Sequence, residues 1–206
     1  MVLVEDLRLY TPQDAKTWHA DFLNQHQLND TPYAVFAPTA AWLSKRWPID
    51  NFIQLAKHLP EHNINNLIIL GGPGEESQTA PLINADLPNI NTIDLTAKST
   101  VGQMMAIIEN AQLVICNDSA AAHIATGFGR RMVCIFGPTE PAKVSPRGYD
   151  DYVASPDNKP DIHYRKGNLD QSIIAQVTLE QVLEKLQLAM SNEPPNPDQS
   201  NPESDG

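Results

Sequence analysis

Residues 113–127 have the sequence LVICNDSAAAHIATG, and this stretch decides the fold. It begins with a short apolar run, Leu113–Cys116, which is followed by a polar triplet and then by small residues up to Gly127. An uninterrupted apolar run that ends in polar residues is typical of a buried strand. The small residues after it predict a helix over 119–127, so the segment is a strand–turn–helix unit.

The same alternation runs along most of the chain. We predict strands at 33–36, 67–70, 92–95, 113–116 and 132–136, and helices at 11–27, 48–59, 77–85, 100–111, 119–127 and 178–190. Two of these helices begin with a capping-box pattern, at Thr100 and Thr178. Short apolar strands separated by helices indicate a parallel sheet covered on both faces. The predicted fold class is therefore α/β, a doubly wound, Rossmann-like parallel sheet.

The chain divides into three predicted parts. Residues 1–32 are a leader with one helix, residues 33–190 are the Rossmann-like domain with its C-terminal helix, and residues 191–206 are an acidic tail. The tail has no Lys or Arg and almost no apolar side chain, so we expect it to be disordered. Within the domain, residues 137–168 show little periodicity and are expected to be mostly loop.

Composition excludes several classes of protein. The net charge of −11 argues against a nucleic-acid partner, because nucleic-acid binding needs a basic face. Cys116 and Cys134 lie inside apolar runs and predict reduced, buried thiols rather than a disulfide. The first residues lack the pattern of a signal peptide, and no apolar run approaches the roughly 20 residues that span a bilayer. We expect a soluble, cytoplasmic protein with at most peripheral membrane contact.

Unusual polar residues gather in the loops that leave the carboxyl ends of the predicted strands. These loops cover residues 37–47, 71–76, 96–100, 117–123 and 137–141. In a doubly wound sheet, ligands bind beyond the carboxyl ends of the strands, where the strand order switches. The coincidence indicates a ligand site at this edge of the sheet.

The loop after the fourth strand leads directly into a helix. A helix start offers free N–H groups and a positive dipole end, which suits a diphosphate. The small side chains of Ala120 and Ala121 would let a ligand approach the backbone closely. The alternative is that Asp118 or Ser119 only caps the helix and that His123 is an ordinary helix residue.

The long loop after the first strand contains hydroxyl groups and two adjacent basic residues, Lys45 and Arg46. In a chain with 14 basic residues, such a pair at a ligand-facing strand end suggests an anion. For Arg46 and the tryptophans Trp42 and Trp47, packing and solvation are the favoured interpretation. For Lys45, anion binding and solvation remain equally open.

The loop at 71–76, GGPGEE, follows the second strand. It contains no GxGxxG, and the chain has no GxxxxGK[ST], so neither the dinucleotide fingerprint nor the NTPase phosphate loop is present. A carboxylate at this strand end can accept hydrogen bonds from ribose hydroxyls. The alternative is a solvated charge in a turn.

Other chemistries are poorly supported. No His and Cys cluster has zinc-ligand spacing, so no metal site is expected. Ser119 and His123 lie four residues apart, but no G-x-S-x-G elbow accompanies them, which argues against a hydrolase.

Four segments together resemble the C-terminal domain of family 9 glycosyltransferases, the ADP-heptose:lipopolysaccharide heptosyltransferases and their relatives. They are APTAAWLSKRWP (37–48), ILGGPGEE (69–76), CNDSAAAHIA (116–125) and IFGPTEP (135–141). The resemblance covers Thr11 to Gly148 and resumes weakly from Ile173 to Leu188. Any one of these motifs is weak alone, but their order and spacing are specific.

This resemblance implies the C-terminal half of a GT-B fold, in which two Rossmann-like domains face a cleft and the C-terminal domain holds the sugar nucleotide. The donor would be a nucleotide sugar such as ADP-heptose, bound without a metal or another cofactor. The resemblance implies that Thr39 and the backbone of Ser119 and Ala120 contact the diphosphate, with Lys45 by the ribose and diphosphate. Glu75 would bind the ribose hydroxyls and Ser99 would lie beside the base. Asp118 would bind the sugar hydroxyls, and His123 would support the turn. Lys45 and Asp118 are the catalytic candidates, since Lys45 and the helix dipole would stabilise the leaving diphosphate.

The sequence departs from the family pattern in two ways. The family usually has Gly at the position of Ala120, so the backbone would approach the phosphates less closely. The N-terminal acceptor domain, which carries the family's usual catalytic carboxylate, has no counterpart here, and residues 1–32 would form the interdomain helix and its leader. We expect the donor-binding half of a glycosyltransferase, either a fragment or one partner of a separate N-terminal acceptor-domain chain. The alternatives are a non-catalytic nucleotide-sugar-binding or regulatory module and another GT-B relative such as a sugar-nucleotide epimerase.

Overall fold

The computed structural model describes residues 9–139, 148–157 and 170–194. The helices are α1 (Gln13–His26), α2 (Ile49–Ala56), α3 (Glu76–Ile83), α4 (Val101–Glu109), α5 (Ala120–Gly127) and α6 (Leu179–Ser191). The strands are β1 (Tyr33–Ala37), β2 (Asn66–Ile69), β3 (Asn91–Asp94), β4 (Leu113–Asn117), β5 (Met132–Ile135) and β6 (Val153–Ala154).

The six strands form one parallel sheet in the order β3-β2-β1-β4-β5-β6. The chain builds outward from β1 to β3 and then returns through α4 to place β4 on the other side of β1. The strand order therefore switches between β1 and β4, whose last residues are Ala37 and Asn117. A crevice opens at the carboxyl ends of two such strands because their following loops turn to opposite faces of the sheet.

Apolar strands buried on both faces account for the layered architecture. Every residue of β1, β4 and β5 is buried. Helix α2 contacts α3 and α6, whereas α4 contacts α1 and α5, so the helices form two groups that cover the two faces. Cys116 and Cys134 are neighbours in β4 and β5 and are buried free thiols, as predicted, and burial raises the pKa of Cys134.

Helix α1 lies close against α4. At the crossing, a Cβ added to Gly102 would lie 3.4 Å from the Cβ of Ala15 and 3.6 Å from Cγ of Pro12. The small residues of both helices therefore allow the backbones to approach. The predicted interdomain helix is thus packed onto the Rossmann-like layer.

The predicted fold class is confirmed, and so are both capping boxes, at Thr100 with Gln103 and at Thr178 with Gln181. The helix predicted over 48–59 ends at Ala56. Pro60 explains the early end, because a proline ring collides with the carbonyl four residues before it.

The prediction of loop over most of 137–168 missed the sixth strand. Val153–Ala154 pairs in parallel with β5, directly after the 3-10 turn Asp150–Tyr152. A strand of two residues has no periodicity to detect, and its pairing with β5 is a tertiary contact. The rest of that prediction at 140–147 and 158–168, the leader at 1–8 and the tail from 195 onward lie outside the described residues.

Candidate functional site

A cleft of about 460 Å³ opens at the carboxyl ends of the strands beside the switch point. Loops after β1, β2, β3 and β4 contribute to it, together with the first turns of α4 and α5. Its lining residues are Ala37, Thr39, Ala40, Ala41, Trp42, Lys45, Leu70, Gly71, Gly72, Pro73, Glu75, Ser99, Thr100, Val101, Met104, Asp118, Ser119, Ala120 and Ala121. Seven of the eight predicted site residues are therefore brought to one cavity, from four separate loops.

The sheet order determines how these residues are arranged along the cleft. Asp118 follows β4, Lys45 follows β1, Glu75 follows β2 and Ser99 follows β3. Parallel strands lie about 4.8 Å apart, so the three spacings from β4 to β3 cover roughly 14 Å. The cleft therefore suits an extended ligand with chemically different ends.

The end of the cleft at β4 contains an ion pair. Lys45 Nζ donates to Asp118 Oδ2 at 2.5 Å, with 21% and 12% of the two side chains exposed. The Thr139 hydroxyl donates to the same carboxylate oxygen at 3.0 Å, and the ring of Trp42 lies 5.4 Å from Lys45 Nζ. The structure thus places a cation and a carboxylate together at the switch point, each reaching the cleft.

A buried asparagine fixes the loop that carries Lys45. Asn117, with no exposed surface, donates from Nδ2 to the Pro38 carbonyl at 2.6 Å and accepts at Oδ1 from the Trp47 N–H at 3.2 Å. The two ends of the loop after β1 are therefore tied to the last residue of β4. The Trp47 indole N–H in turn donates to the Val177 carbonyl at 2.8 Å.

Arg46 reinforces this loop rather than facing a ligand. Its guanidinium donates to the carbonyls of Ala40 and Ala41, and its own carbonyl accepts from Gln171 Nε2 at 2.8 Å. The packing interpretation is confirmed for Arg46 and for Trp47, which is buried. Trp42 does not pack into the core: it is exposed at the mouth of the cleft.

Gly137 allows the loop after β5 to approach the Lys45 turn. A Cβ at this position would lie 2.4 Å from the backbone oxygen of Ser44 and 3.0 Å from Cβ of Ile174. Any side chain would therefore push the loop outward. Thr139, whose hydroxyl reaches Asp118, lies two residues further on in the same loop.

The first turn of α5 faces the cleft without a side-chain cap. Ser119 occupies the N-cap position in an extended conformation but makes no capping hydrogen bond, and the carboxylate of Asp118 is bound by Lys45 and Thr139. The interpretation of Ser119 as a simple helix cap is therefore wrong. Ser119, Ala120 and Ala121 all line the cavity, where N–H groups of a helix start suit an anion.

Glu75 closes a turn and also lines the cleft. Its Oε2 accepts a hydrogen bond from the Gly72 N–H at 2.7 Å, while its own N–H donates to the Gly72 carbonyl at 3.1 Å, so it closes a turn. It also lines the cleft and is only partly exposed. One carboxylate oxygen thus holds the loop, and in the described part of the chain no hydrogen bond to Oε1 is recorded.

The end of the cleft at β3 is more apolar. Val101 and Met104, in α4, line the cleft beside Ser99, and Leu70 and Pro73 line it in the loop after the neighbouring strand β2. The capping box of α4 holds the backbone at Thr100. This end suits a flat apolar group, whereas the end at β4 suits a charged or hydroxyl-rich one.

His123 is the predicted site residue that the structure does not bring to the cleft. It lies one turn inside α5 with an exposed side chain. Asn117, Trp42 and Thr139 are residues whose roles the sequence analysis missed. For Asn117, the sequence does contain one indication of a role, an amide side chain directly after an apolar strand.

Two features are absent from the described residues, 9–139, 148–157 and 170–194. No group of three or more His, Cys, Asp or Glu side chains there is arranged to hold a metal ion. Within the same residues, no helix has the length and apolar character needed to cross a membrane.

Comparisons with known proteins identify the family of this chain. The family model for "Glycosyltransferase family 9 (heptosyltransferase)" matches residues 5–173. Lipooligosaccharide heptosyltransferase 2 of Haemophilus influenzae is 28% identical over 167 residues, which cover 77% of this chain and 47% of that protein. The chain thus spans about half the length of the curated relatives it matches.

Solved structures show the same fold. A family 9 glycosyltransferase from Veillonella parvula superposes with a TM-score of 0.73 at 20% identity, covering 89% of this chain and 53% of that one. The E. coli ADP-heptose lipopolysaccharide heptosyltransferase II gives a TM-score of 0.68 with the same identity and coverage. The Rossmann-like layer of a GT-B glycosyltransferase is therefore confirmed. Because the family model matches most of the sequence, this chain belongs to glycosyltransferase family 9, the heptosyltransferase family.

Proposed function

We propose that this chain is the donor-binding half of a heptosyltransferase-like glycosyltransferase. The cleft binds a nucleotide sugar of the ADP-heptose type, and the sugar passes to a lipopolysaccharide-type acceptor when an acceptor-binding domain faces the cleft. The observation that supports this most is the Lys45–Asp118 pair beside the uncapped first turn of α5, at the switch point of the sheet.

The proposal assigns each part of the donor to one strand end. The base lies beside Ser99 and the apolar residues after β3, and the ribose hydroxyls donate to Glu75. The diphosphate lies against Thr39, Lys45 and the N–H groups of Ser119 and Ala120. The sugar lies at Asp118, whose carboxylate accepts its hydroxyls. This order follows the strand order of the sheet and the change from an apolar to a polar lining.

The chemistry follows from where charge develops. The acceptor oxygen attacks the anomeric carbon, the bond from that carbon to the diphosphate oxygen breaks, and the nucleoside diphosphate leaves with an additional negative charge. Lys45 and the positive end of α5 stabilise that charge. A base must remove the acceptor proton from the opposite side, and the proposal assigns this base to the acceptor-binding domain.

The proposal needs no metal, because Lys45 and the helix start supply the positive charge at the diphosphate. His123 stays a prediction as a support for the turn at the start of α5. A nucleotide-sugar donor also favours a cytoplasmic site of action, because nucleotides are made there.

Calorimetry with ADP-, UDP- and GDP-sugars, with and without EDTA, tests donor binding. We expect an ADP-sugar to bind and EDTA to leave its affinity unchanged. A protein that binds none of these sugars at millimolar concentration would refute the proposal, and a large loss of affinity in EDTA would refute its metal-free form.

Transfer is assayed separately with lipid-A-core acceptors. The chain alone should not transfer the sugar, since only one substrate is held in position. Transfer should appear when a separately expressed acceptor domain is added. Ordinary enzymatic rates from the chain alone would contradict the donor-half assignment, and binding without transfer under both conditions would favour a non-catalytic nucleotide-sugar-binding module.

A further inference from the structure

Two tryptophans on either side of the Lys45 turn have opposite environments. Trp47 is 1% exposed, donates its indole N–H to Val177 and packs edge-on against Phe52. Trp42 is 56% exposed and lines the cleft. A large aromatic side chain left open at the mouth of a cleft indicates a surface that a ligand covers.

Trp42 is held in place although it is exposed. Its carbonyl accepts from the Lys45 N–H at 3.0 Å, which closes the 3-10 turn Leu43–Lys45. Its ring lies 5.4 Å from Lys45 Nζ, and the same nitrogen is 2.5 Å from Asp118 Oδ2. An aromatic ring and a carboxylate therefore lie on either side of one ammonium group, and the Trp42 backbone is held in the turn.

This combination matches the surface of a sugar ring. A pyranose presents C–H groups on its face, which pack on an aromatic ring, and hydroxyls on its rim, which donate to a carboxylate. Asp118 Oδ2 already accepts from Lys45 and Thr139, whereas no hydrogen bond to Oδ1 is recorded among the described residues. The nucleobase has its own apolar surface two strands away, after β3.

We propose that Trp42 is the wall against which the transferred sugar of the donor stacks, with its hydroxyls bound at Asp118. The inference rests on the proposed nucleotide-sugar function and adds a residue that recognises the sugar rather than the nucleotide. Trp42 therefore contributes to selectivity for a nucleotide sugar over the free nucleotide.

The test compares the affinities of ADP and of an ADP-sugar for the wild type, Trp42→Ala and Trp42→Phe. Trp42→Ala should weaken ADP-sugar binding about 3- to 10-fold and leave ADP binding within roughly twofold, as expected for one lost aromatic contact. Trp42→Phe keeps a ring and should restore most of the affinity. Leu43→Ala, in the same turn, 48% exposed and outside the cleft lining, is the matched control and should change neither affinity.

Fluorescence gives a second readout, since covering Trp42 should shift emission more with the ADP-sugar than with ADP. Equal losses for both ligands in Trp42→Ala would overturn the inference, because the effect would then act through Lys45 and the phosphates. Unchanged affinity for the ADP-sugar would overturn it too, while the proposed function would survive. If the wild type binds neither ligand, the proposed function itself fails.

Discussion

The two sides of the cleft are built in different ways. On the braced side (residues 38–47, 117–121 and 137–139), hydrogen bonds join residues far apart in sequence: Lys45 and Asp118 are separated by 73 positions and Trp47 and Val177 by 130. On the local side (residues 71–76 and 94–104), most side-chain hydrogen bonds, such as Gly72–Glu75 and Thr100–Gln103, join residues two to four positions apart. Among the described residues, the exception is the bond between Thr96 and Thr79, 17 positions apart.

This difference predicts how each side responds to substitution. A local turn forms from its own residues, so damage to it stays local. The braced side exists only when β4, the loops after β1 and β5 and the segment before α6 are assembled, because each supplies a hydrogen-bond partner. Substitutions that break these long-range contacts should therefore reduce stability as well as ligand binding.

The largest expected effect comes from Asn117→Ala. It removes both hydrogen bonds that tie the loop after β1 to β4 and leaves the buried Trp47 N–H without its partner. We expect the free energy of unfolding to fall by about 3 kcal/mol. Urea denaturation measures it, with Asn91→Ala as the control, because Asn91 is an exposed asparagine at the other edge of the sheet. If the two variants lost the same free energy of unfolding, the long-range hydrogen bonds of Asn117 would not stabilise the braced side.

Gly137→Ala should have the next largest effect. The new Cβ would meet the Ser44 backbone oxygen at 2.4 Å, and backbone cannot move aside as a side chain can. We expect about 2 kcal/mol of destabilisation together with weaker ADP-sugar binding. Gly72→Ala is the matched variant on the local side, where the nearest atom lies at 3.4 Å in the Glu75 side chain. A Gly137→Ala protein as stable as Gly72→Ala would show that the loop after β5 has room to move.

Within the braced side, variants of Lys45 and Asp118 should show which part of the ligand each residue binds. Lys45→Ala should weaken both ADP and ADP-sugar binding by about 1–3 kcal/mol, since a charged contact to the diphosphate is lost. Asp118→Ala should weaken ADP-sugar binding by a similar amount and leave ADP binding nearly unchanged. Calorimetry measures both.

The controls for this pair are Lys57→Ala and Asp86→Ala, which remove exposed charges outside the cleft lining. If Lys45→Ala and Asp118→Ala both bound ADP and the ADP-sugar with wild-type affinity, neither residue would belong to the binding site.

A smaller effect is expected at the opposite end of β1. Tyr33 donates its hydroxyl hydrogen to the Ile107 carbonyl at 2.8 Å, so the buried His19 must donate from Nε2 to the Tyr33 oxygen, 3.1 Å away. Burial lowers the pKa of His19, opposed by the charge of Glu109, so the folded state favours neutral histidine. Its contribution to stability is therefore present above the unfolded pKa of about 6.5 and is lost as the pH falls through the lower folded value.

His19→Gln should flatten this pH dependence and cost about 1 kcal/mol at pH 7.5, without changing ADP-sugar affinity. Denaturation curves between pH 7.5 and pH 5 measure it. An unchanged pH profile in His19→Gln would assign the acid sensitivity to other groups.

How much of the structure the sequence predicts depends on whether a contact joins residues close together or far apart in the chain. Five of the six strands and both capping boxes follow from short-range patterns, and the glycines at 71–74 indicate the loop that contains Glu75. That Lys45 and Asp118 lie near one another follows from the rule that strand ends share one edge of a sheet.

The contacts that complete the braced side could not be predicted. Asn117 forms hydrogen bonds with Trp47 and Pro38, which lie 70 and 79 positions away in the sequence. Nothing in the sequence around Asn117 indicates these partners. The difference between Trp42 and Trp47 depends on whether Val177 lies within reach, which only the assembled fold decides. β6 has two residues and forms because β5 is beside it.

The most direct test of the account maps the ligand along the cleft by backbone amide NMR, titrating first ADP and then an ADP-sugar. ADP should shift the amides of Thr39 and Lys45 and those at 71–72, 74–75, 99–104 and 119–121. The sugar should add shifts at Trp42 and Asp118, while the region around His19 stays unchanged. Shifts confined to residues outside the cleft, or sugar-dependent shifts near Ser99 instead of Asp118, would contradict the proposed arrangement of the donor across the strand ends.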